Sequence, residues 1–333
     1  MDLQNTTYKC LLVEEEGGRF RRSIVTKSVR DLPENELLIR VQYSSLNFKD
    51  ALSSCGNKGI TKSYPHTPGI DAVGLVVRSN NENFHEGDEV LVTGFDLGMN
   101  TPGGFSQYIS VPAAWALRLP NGLSMKESMI FGTAGLTAGM SVLRLSEHIN
   151  PEDGKILVSG STGGVGAITI SVLAKLGFAI SAISGKDSQE DYLFQLGASE
   201  VIARKDFEQE NERALMKGEY AGGVDTVGGS VLSNMVKSTR PLGVVICCGN
   251  VASSKLNVSI FPFILRGVSL IGIDSQNSPM TCREVVWNKL AKDWKIDSLN
   301  GMHTTVSLSD LSRSVDLMLD GKSRGRMVLD LGA

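Results

Sequence analysis

The chain has 333 residues, of which 41% are hydrophobic and 21% charged, with a net charge of −3. That length is more than one small core usually holds, so two domains are expected, and the globular composition argues against disorder. The near-neutral balance of interspersed charges provides no general field to draw nucleic acid or an anionic membrane.

The acidic run Glu14-Glu15-Glu16 is followed by Gly17-Gly18 and reads as a solvated turn. The five cysteines, Cys10, Cys55, Cys247, Cys248 and Cys282, are odd in number and form no CxxC or CxxxC pair, so neither a zinc knuckle nor a disulfide framework is suggested. The N-terminus lacks a signal-peptide core and no apolar stretch reads as long enough to cross a bilayer, so the expected location is the reducing cytoplasm.

Taken in chain order, the first 120 residues or so read as short strands between Gly- and Pro-rich turns. Strands are expected over Leu37–Tyr43, Gly69–Val77, Glu89–Thr93 and Phe105–Val111. The character changes near Ser124, where a helix is expected to run to Leu145 despite Gly132, Gly135 and Gly139. Apolar runs then alternate with helices. The runs are Ile156–Val158, Phe178–Ile183, Val201–Ile202, Val224–Val227 and Gly243–Cys248. The helices between them are Val165–Leu176, Gln189–Leu196 and Leu232–Ser238. Such alternation predicts a parallel sheet covered on both faces. A helix at Pro262–Arg266, a strand at Val268–Ile273, helices at Met280–Trp294 and Ser309–Leu319, a short strand or turn from Val306 and a last strand at Met327–Leu331 complete the chain. The fold class is therefore α/β, a doubly wound sheet inserted in a mostly β domain. The expected boundaries are 1–124, 125–267, and 268–333 for the return to the first domain.

The most specific chemical signal is Lys155 to Gly166, an apolar strand running through Ser159-Gly160-Ser161-Thr162-Gly163-Gly164-Val165-Gly166 into a helix. Glycines there permit a tight turn and leave the backbone N–H groups and the positive helix end open to a pyrophosphate. The motif is weak alone, and the strand before it and the helix and second strand after it supply the required context. Thr162, Gly163, Gly164 and Val165 are thus expected to bind a dinucleotide. Where an NAD-preferring site usually carries a carboxylate on the ribose, this chain has Ser184-Gly185-Lys186, with Arg204 after the next strand. A hydroxyl and cations suit a 2′-phosphate, so the expected cofactor is NADPH; surface cations are the alternative for Lys186 and Arg204.

Over nearly its whole length the sequence resembles the medium-chain dehydrogenase/reductase superfamily, in its acryloyl-CoA reductase and quinone oxidoreductase branch. The matching segments include Ser44-Ser45-Leu46-Asn47-Phe48-Lys49-Asp50, Pro68-Gly69-Ile70-Asp71, Gly132-Thr133-Ala134-Gly135, Val224-Asp225-Thr226-Val227-Gly228 and Pro262-Phe263-Ile264-Leu265-Arg266. The resemblance implies a GroES-like domain around a Rossmann domain, and a homodimer joined through the Val268–Ile273 strand. It also implies that Phe48, Asn250, Ile264 and Ser275 border the cofactor. Zinc-dependent relatives place Cys where Asn47 stands and His where Ile70 stands, and Gly94 to Gly104 contains no cysteine lobe. The histidines, His66, His85, His148 and His303, have no metal-ligand spacing, so no catalytic zinc is expected.

Without a metal, hydride transfer calls for an electron-poor acceptor, such as an enoyl thioester taking hydride at its β-carbon. Asn47, Lys49 and Asp50 are the catalytic candidates, Asn47 as donor to the oxyanion and the other two as a mutually orienting pair or a structural salt bridge. Phe48 stands where a tyrosine is often seen, which leaves water as the proton source. Arg324 and Arg326 are candidates for a CoA phosphate or for plain surface roles. Two other readings stay open: an NADPH:quinone oxidoreductase, and an NADPH-binding sensor without turnover. A short-chain dehydrogenase is disfavoured, because the chain has no Tyr-x-x-x-Lys and its fingerprint lies far from the N-terminus.

Overall fold

The computed structural model describes residues 5–332. The chain divides into two units, one built from residues up to Thr133 with Gln276–Ala291 and the segment from Leu299 onward, the other from Ala134–Ser275 with Lys292–Ser298.

The first unit opens with a hairpin, β1 (Thr7–Glu16) and β2 (Arg19–Ser28), joined at Gly17 and Gly18, both with positive φ. Turns of this kind match the twist of the strands they join. Glu14 and Glu16 lie opposite Arg21 and Arg19, so the acidic run ends a strand, with opposite charges across the ladder, and only Gly17-Gly18 forms the turn.

Next come β3 (Leu37–Leu46), α1 (Phe48–Ser54), β4 (Asp71–Ser79), β5 (Glu89–Thr93), β6 (Tyr108–Val111) and β7 (Ala116–Arg118). β3 is the hub of their sheet, pairing with β4 and with β6. Leu37, Ile39, Val92, Phe105 and Ile109 form much of its core.

α2 (Met125–Ser146) is broken at Gly132, whose φ of 51° and ψ of −154° are not helical. The backbone N–H of Thr133 therefore begins a new helical segment and donates to the Asp71 carboxylate at 2.9 and 3.0 Å. The division between the units falls at this break and not at Ser124. The turns before it stay with the first unit, where Phe131 meets Trp287 edge to face. By length and apolarity α2 qualifies as a membrane span, contrary to the reading of the sequence, yet 83% of that apolar window is buried in the protein. It is a core helix.

The second unit is a parallel sheet of β8 (Ile156–Ser159), β9 (Ile180–Ser184), β10 (Glu200–Ala203), β11 (Tyr220–Asp225), β12 (Thr239–Cys247) and β13 (Ser269–Gly272). Its order is β10-β9-β8-β11-β12-β13, the doubly wound order that reverses direction between β8 and β11. The helices of this unit are α3 (Gly164–Lys175), α4 (Glu190–Gln195), α5 (Arg204–Phe207), α6 (Gly229–Ser238) and α7 (Phe261–Arg266). α3 is buried along most of its length, as a helix packed on a sheet's apolar face must be. Because β13 is the sixth strand of this sheet, residues 268–275 belong here and not with the chain's return.

The remainder of the first unit is α8 (Met280–Ala291), β14 (His303–Ser307), α9 (Leu311–Leu319) and β15 (Arg326–Asp330). β15 pairs antiparallel with β3 and parallel with β14, which closes the first sheet with the last strand of the chain. The sequence placed β14 too late, since its polar residues His303-Thr304-Thr305 hide the strand.

A Cβ on Gly132 would lie 2.4 Å from Asp71 Oδ2, 2.5 Å from Ser45 Oγ and 2.8 Å from an Arg326 nitrogen. Gly132→Ala is expected to lower the melting temperature by roughly 5 °C or more, through positive φ and overpacking together. Calorimetry showing an unchanged midpoint would contradict this.

Candidate active site

Two sets of polar residues stand out, one in each unit. In the second unit, β8 ends at Ser159 and the chain turns sharply through Gly160, whose φ is 58°. A Cβ at Gly166 would lie 2.4 Å from the Gly160 carbonyl oxygen, so only glycine lets α3 begin this close to the strand. The first i→i−4 bond of α3 runs from Ala167 N to Gly163 O at 2.9 Å. The N–H groups of Gly164, Val165 and Gly166 thus precede the helical ladder and face its mouth, where no side chain caps them. Thr162 is buried beside them and Gly163 is exposed.

Asp225, at the end of β11, ties this turn across the switch point. It accepts from Ser159 Oγ at 2.6 Å and from the N–H groups of Gly228 and Val227 at 2.7 and 3.2 Å. Ser159 Oγ in turn accepts from Thr226 N at 2.9 Å. Burial raises the Asp225 pKa above the usual carboxylate range. The sequence offered Asp225 only as part of a family match, with no role.

β9 ends at Ser184, and the β9–β10 register sets Ala203 beside it, so Arg204 follows next to Gly185. The Arg204 guanidinium lies where a Gly185 side chain would be, its Cζ 2.9 Å from the position of such a Cβ. Ser184 Oγ accepts from Lys186 N at 3.0 Å. Desolvation lowers the Lys186 pKa. Ser184, Gly185, Lys186 and Arg204, separated in sequence, are thus brought together. Asn250 is exposed beyond the end of β12, near Gly228, while Ser275 accepts from Thr137 Oγ1 at 2.7 Å beyond β13. Ile264 stands on the exposed side of α7. The residues from Ser159, Ser184, Asp225, Asn250 and Ser275 all lie at or beyond the carboxyl ends of the parallel strands, where open α/β sheets bind ligands.

In the first unit, Asn47 caps α1 and is buried, and its amide is committed inside the protein. Nδ2 donates to Asp71 Oδ2 at 2.7 Å and to Asp50 Oδ2 at 3.2 Å, and Oδ1 accepts from Arg326 at 3.1 Å. Asn47 is therefore a bridge within a buried network, which corrects its expected role as donor to an oxyanion. Asp50 is fully buried and accepts from the N–H of Asn47 and of Ile70, both at 2.8 Å. Lys49, on the adjacent residue, turns to the Gln276 side-chain oxygen. The two do not orient one another as the sequence suggested, because successive helical residues face different ways. Phe48 is exposed at the start of α1.

Arg326 is also corrected. Only 3% exposed, it donates to the carbonyls of Ile130 and Leu46, to Ser45 Oγ and to Asn47. It lies 3.7 Å from Asp71, so it offers nothing to an external phosphate; Arg324 is exposed. Asp71, Ser45 and Thr133, which complete the network, sit in motifs the sequence flagged but gave no function. His66 is buried against the Gly98 carbonyl at 2.9 Å, a structural contact.

A zinc ion does not fit this donor set. The side chains at the positions of interest are an amide and an isoleucine, and the nearby Asp71 is saturated by protein donors and an arginine. Among the described residues, no group of three or more His, Cys, Asp or Glu side chains is placed to hold a metal.

A GroES-like sheet and a doubly wound nucleotide-binding sheet with a glycine turn define a two-module oxidoreductase. Residues 33–121 match the family model "Alcohol dehydrogenase GroES-like domain" and residues 164–292 match "Zinc-binding dehydrogenase". "Putative quinone oxidoreductase YhfP" of Bacillus subtilis is 41% identical over 98% of this chain and 100% of its own. Its crystal structure with NAD bound superimposes with a TM-score of 0.95. "Acrylyl-CoA reductase AcuI" of Ruegeria pomeroyi is 37% identical over 96% of this chain and 97% of its own. The structure of yhdH from Escherichia coli K-12 with bound NADPH, 36% identical, covers 97% of this chain and 99% of its own at a TM-score of 0.94. The chain belongs to the medium-chain dehydrogenase/reductase superfamily and is an oxidoreductase of that kind.

Burial, then the nearby Asp71 charge, raise the Asp50 pKa to about 7, against partly compensating hydrogen bonds. A carboxyl whose folded pKa is raised stabilises the fold most below its unfolded value, and that stabilisation is lost as pH rises through the folded value. The wild type should therefore lose stability relative to Asp50→Asn as pH rises from about 4 to about 7. Melting temperatures of both proteins at pH 5 and pH 8 test this, and parallel shifts would refute it.

Proposed function

We propose that the protein is an NADPH-dependent, metal-free reductase of activated carbon–carbon double bonds, acting on acryloyl-CoA or a related enoyl thioester. The observation that carries the cofactor is the assembly of Ser184, Gly185, Lys186 and Arg204 at one strand end. A hydroxyl, backbone N–H groups and cations there suit a 2′-phosphate, as the glycine turn suits the pyrophosphate. Bound there, NADPH supplies the hydride for the β-carbon of the acceptor.

The protein's part follows from its own residues. The N–H groups of Gly164, Val165 and Gly166 bind the pyrophosphate, and Asp225 keeps the turn in shape through Ser159. Asn250 and Ser275 border the dinucleotide from the ends of their strands. On α1, Phe48 is exposed and the half-buried Lys49 is held by Gln276; Lys49 is the candidate cation for the developing enolate oxygen. Asn47 and Asp50 position that first helical turn. Water supplies the proton at the α-carbon. Substrate class rests on the acrylyl-CoA reductase relatives, which match along nearly the whole chain. The quinone reading is supported by the relative of that name. No metal step enters, and free cysteines are in keeping with a reducing compartment.

We also propose a homodimer. β13 is the edge strand of its sheet, and Leu242, Ile260, Ile264 and Leu265 expose large apolar surfaces in the same unit.

NADPH oxidation should be fastest with acryloyl-CoA when crotonyl-CoA and a quinone are run beside it, and unaffected by chelators. A quinone rate above both thioesters would favour the second reading, and cofactor binding without any turnover would leave a sensor. kcat/KM should favour NADPH over NADH, and Arg204→Ala should erase about tenfold of that preference; equal efficiency with both cofactors in the wild type would refute the preference. Light scattering should give twice the chain mass for the wild type and the single mass for Leu265→Asp. A monomeric wild type would end the dimer proposal.

A further inference from the structure

The cation expected to meet the 2′-phosphate already has a partner. Arg204 heads α5 directly after β10, and its Nε lies 3.3 Å from Glu208 Oε2, one helical turn on. Both side chains are a little under half exposed. The pair therefore sits at the surface, with the guanidinium packed against Gly185 and its Nε paired with the carboxylate.

We propose that Glu208 tunes discrimination between phosphorylated and unphosphorylated dinucleotides by competing with the 2′-phosphate for Arg204. This rests on the reading that Ser184 to Lys186 receive the adenosine ribose. Without a phosphate, Glu208 neutralises Arg204 and holds it over Gly185, so a ribose carrying two hydroxyls meets an arginine already paired. A 2′-phosphate must draw the guanidinium from a carboxylate and tolerate that carboxylate's negative charge nearby. Glu208 thus weakens the phosphorylated ligand and leaves the unphosphorylated one nearly untouched. The turn itself has no carboxylate at 184–186, so the restraint on phosphate comes from the neighbouring strand's helix. A purely orienting residue gives the opposite sign, since an untethered arginine gives up more side-chain entropy on binding. The sign of one substitution therefore decides.

Solvent screening limits the effect to the range of surface ion pairs, so Glu208→Gln is expected to change affinity by about three- to fivefold. Calorimetric titration of the full chain with 2′,5′-ADP and with 5′-AMP separates phosphate recognition from turnover. Glu208→Gln should bind 2′,5′-ADP about three- to fivefold tighter and 5′-AMP unchanged, with the gain shrinking as salt is raised. Weaker or unchanged binding of 2′,5′-ADP by Glu208→Gln overturns the proposal. Arg204→Ala reports on the reading beneath it. Loss of 2′,5′-ADP binding in that variant supports the 2′-phosphate assignment whatever Glu208→Gln does. A wild type that binds 2′,5′-ADP no better than 5′-AMP, unaltered by Arg204→Ala, overturns both.

Discussion

The close approach of Gly166 to the Gly160 carbonyl is the constraint on which the nucleotide-binding unit depends. With no room for a Cβ, α3 starts directly against the end of β8 and presents its unpaired N–H groups there. Because the strand order reverses between β8 and β11, the turn opens at a crevice that the sheet itself creates. Asp225 then closes the arrangement from the other side of the reversal, using Ser159 and two backbone N–H groups. The β9–β10 register adds a second recognition point by setting Arg204 against Gly185. One steric limit and two strand registers thus place the groups suited to both phosphates.

The first unit is organised around Asp71. This buried carboxylate caps the second segment of α2 through Thr133, holds Ser45 and Asn47, and faces Arg326 from the last strand. Residues from β3, α1, β4, α2 and β15 therefore depend on one another, and removing any partner leaves buried charge without compensation. Asn47 and Asp50 act within this network as supports for the start of α1. The Phe48 ring is exposed there, and the Lys49 ammonium is held by Gln276. A helix whose inner residues are fixed by a charged network presents its outer ones with little loss of entropy. The same saturation explains why the donor set does not suit zinc.

Much of the second unit was legible in the sequence, because alternating apolar runs and glycine turns report on parallel sheets directly. The fingerprint from Ser159 to Gly166 and the cluster of Ser184, Gly185, Lys186 and Arg204 needed only short-range pattern and the spacing of strands. The first unit was less readable. The β1–β2 hairpin hid behind the acidic run, whose charges pair across a ladder that sequence order does not reveal. Asp71 and Arg326 are 255 positions apart, and nothing local marks either as buried. Asn47, Lys49 and Asp50 stand side by side in the sequence as candidates, while the direction each side chain takes is set by partners far along the chain. The end of the first unit was likewise misplaced, since the break in α2 depends on Gly132 meeting Asp71.

In the proposed reaction this chain passes a hydride from a reduced, 2′-phosphorylated dinucleotide to the β-carbon of an enoyl thioester. Its most direct test is a single-turnover reaction of the purified protein with NADPH deuterated at the transferable C4 position and acryloyl-CoA. Nuclear magnetic resonance of the product then reads where the label lies. Deuterium at C3 of the saturated thioester, with a solvent proton at C2, is the predicted result. Oxidised cofactor with no label in the thioester, or unchanged acryloyl-CoA, would contradict it.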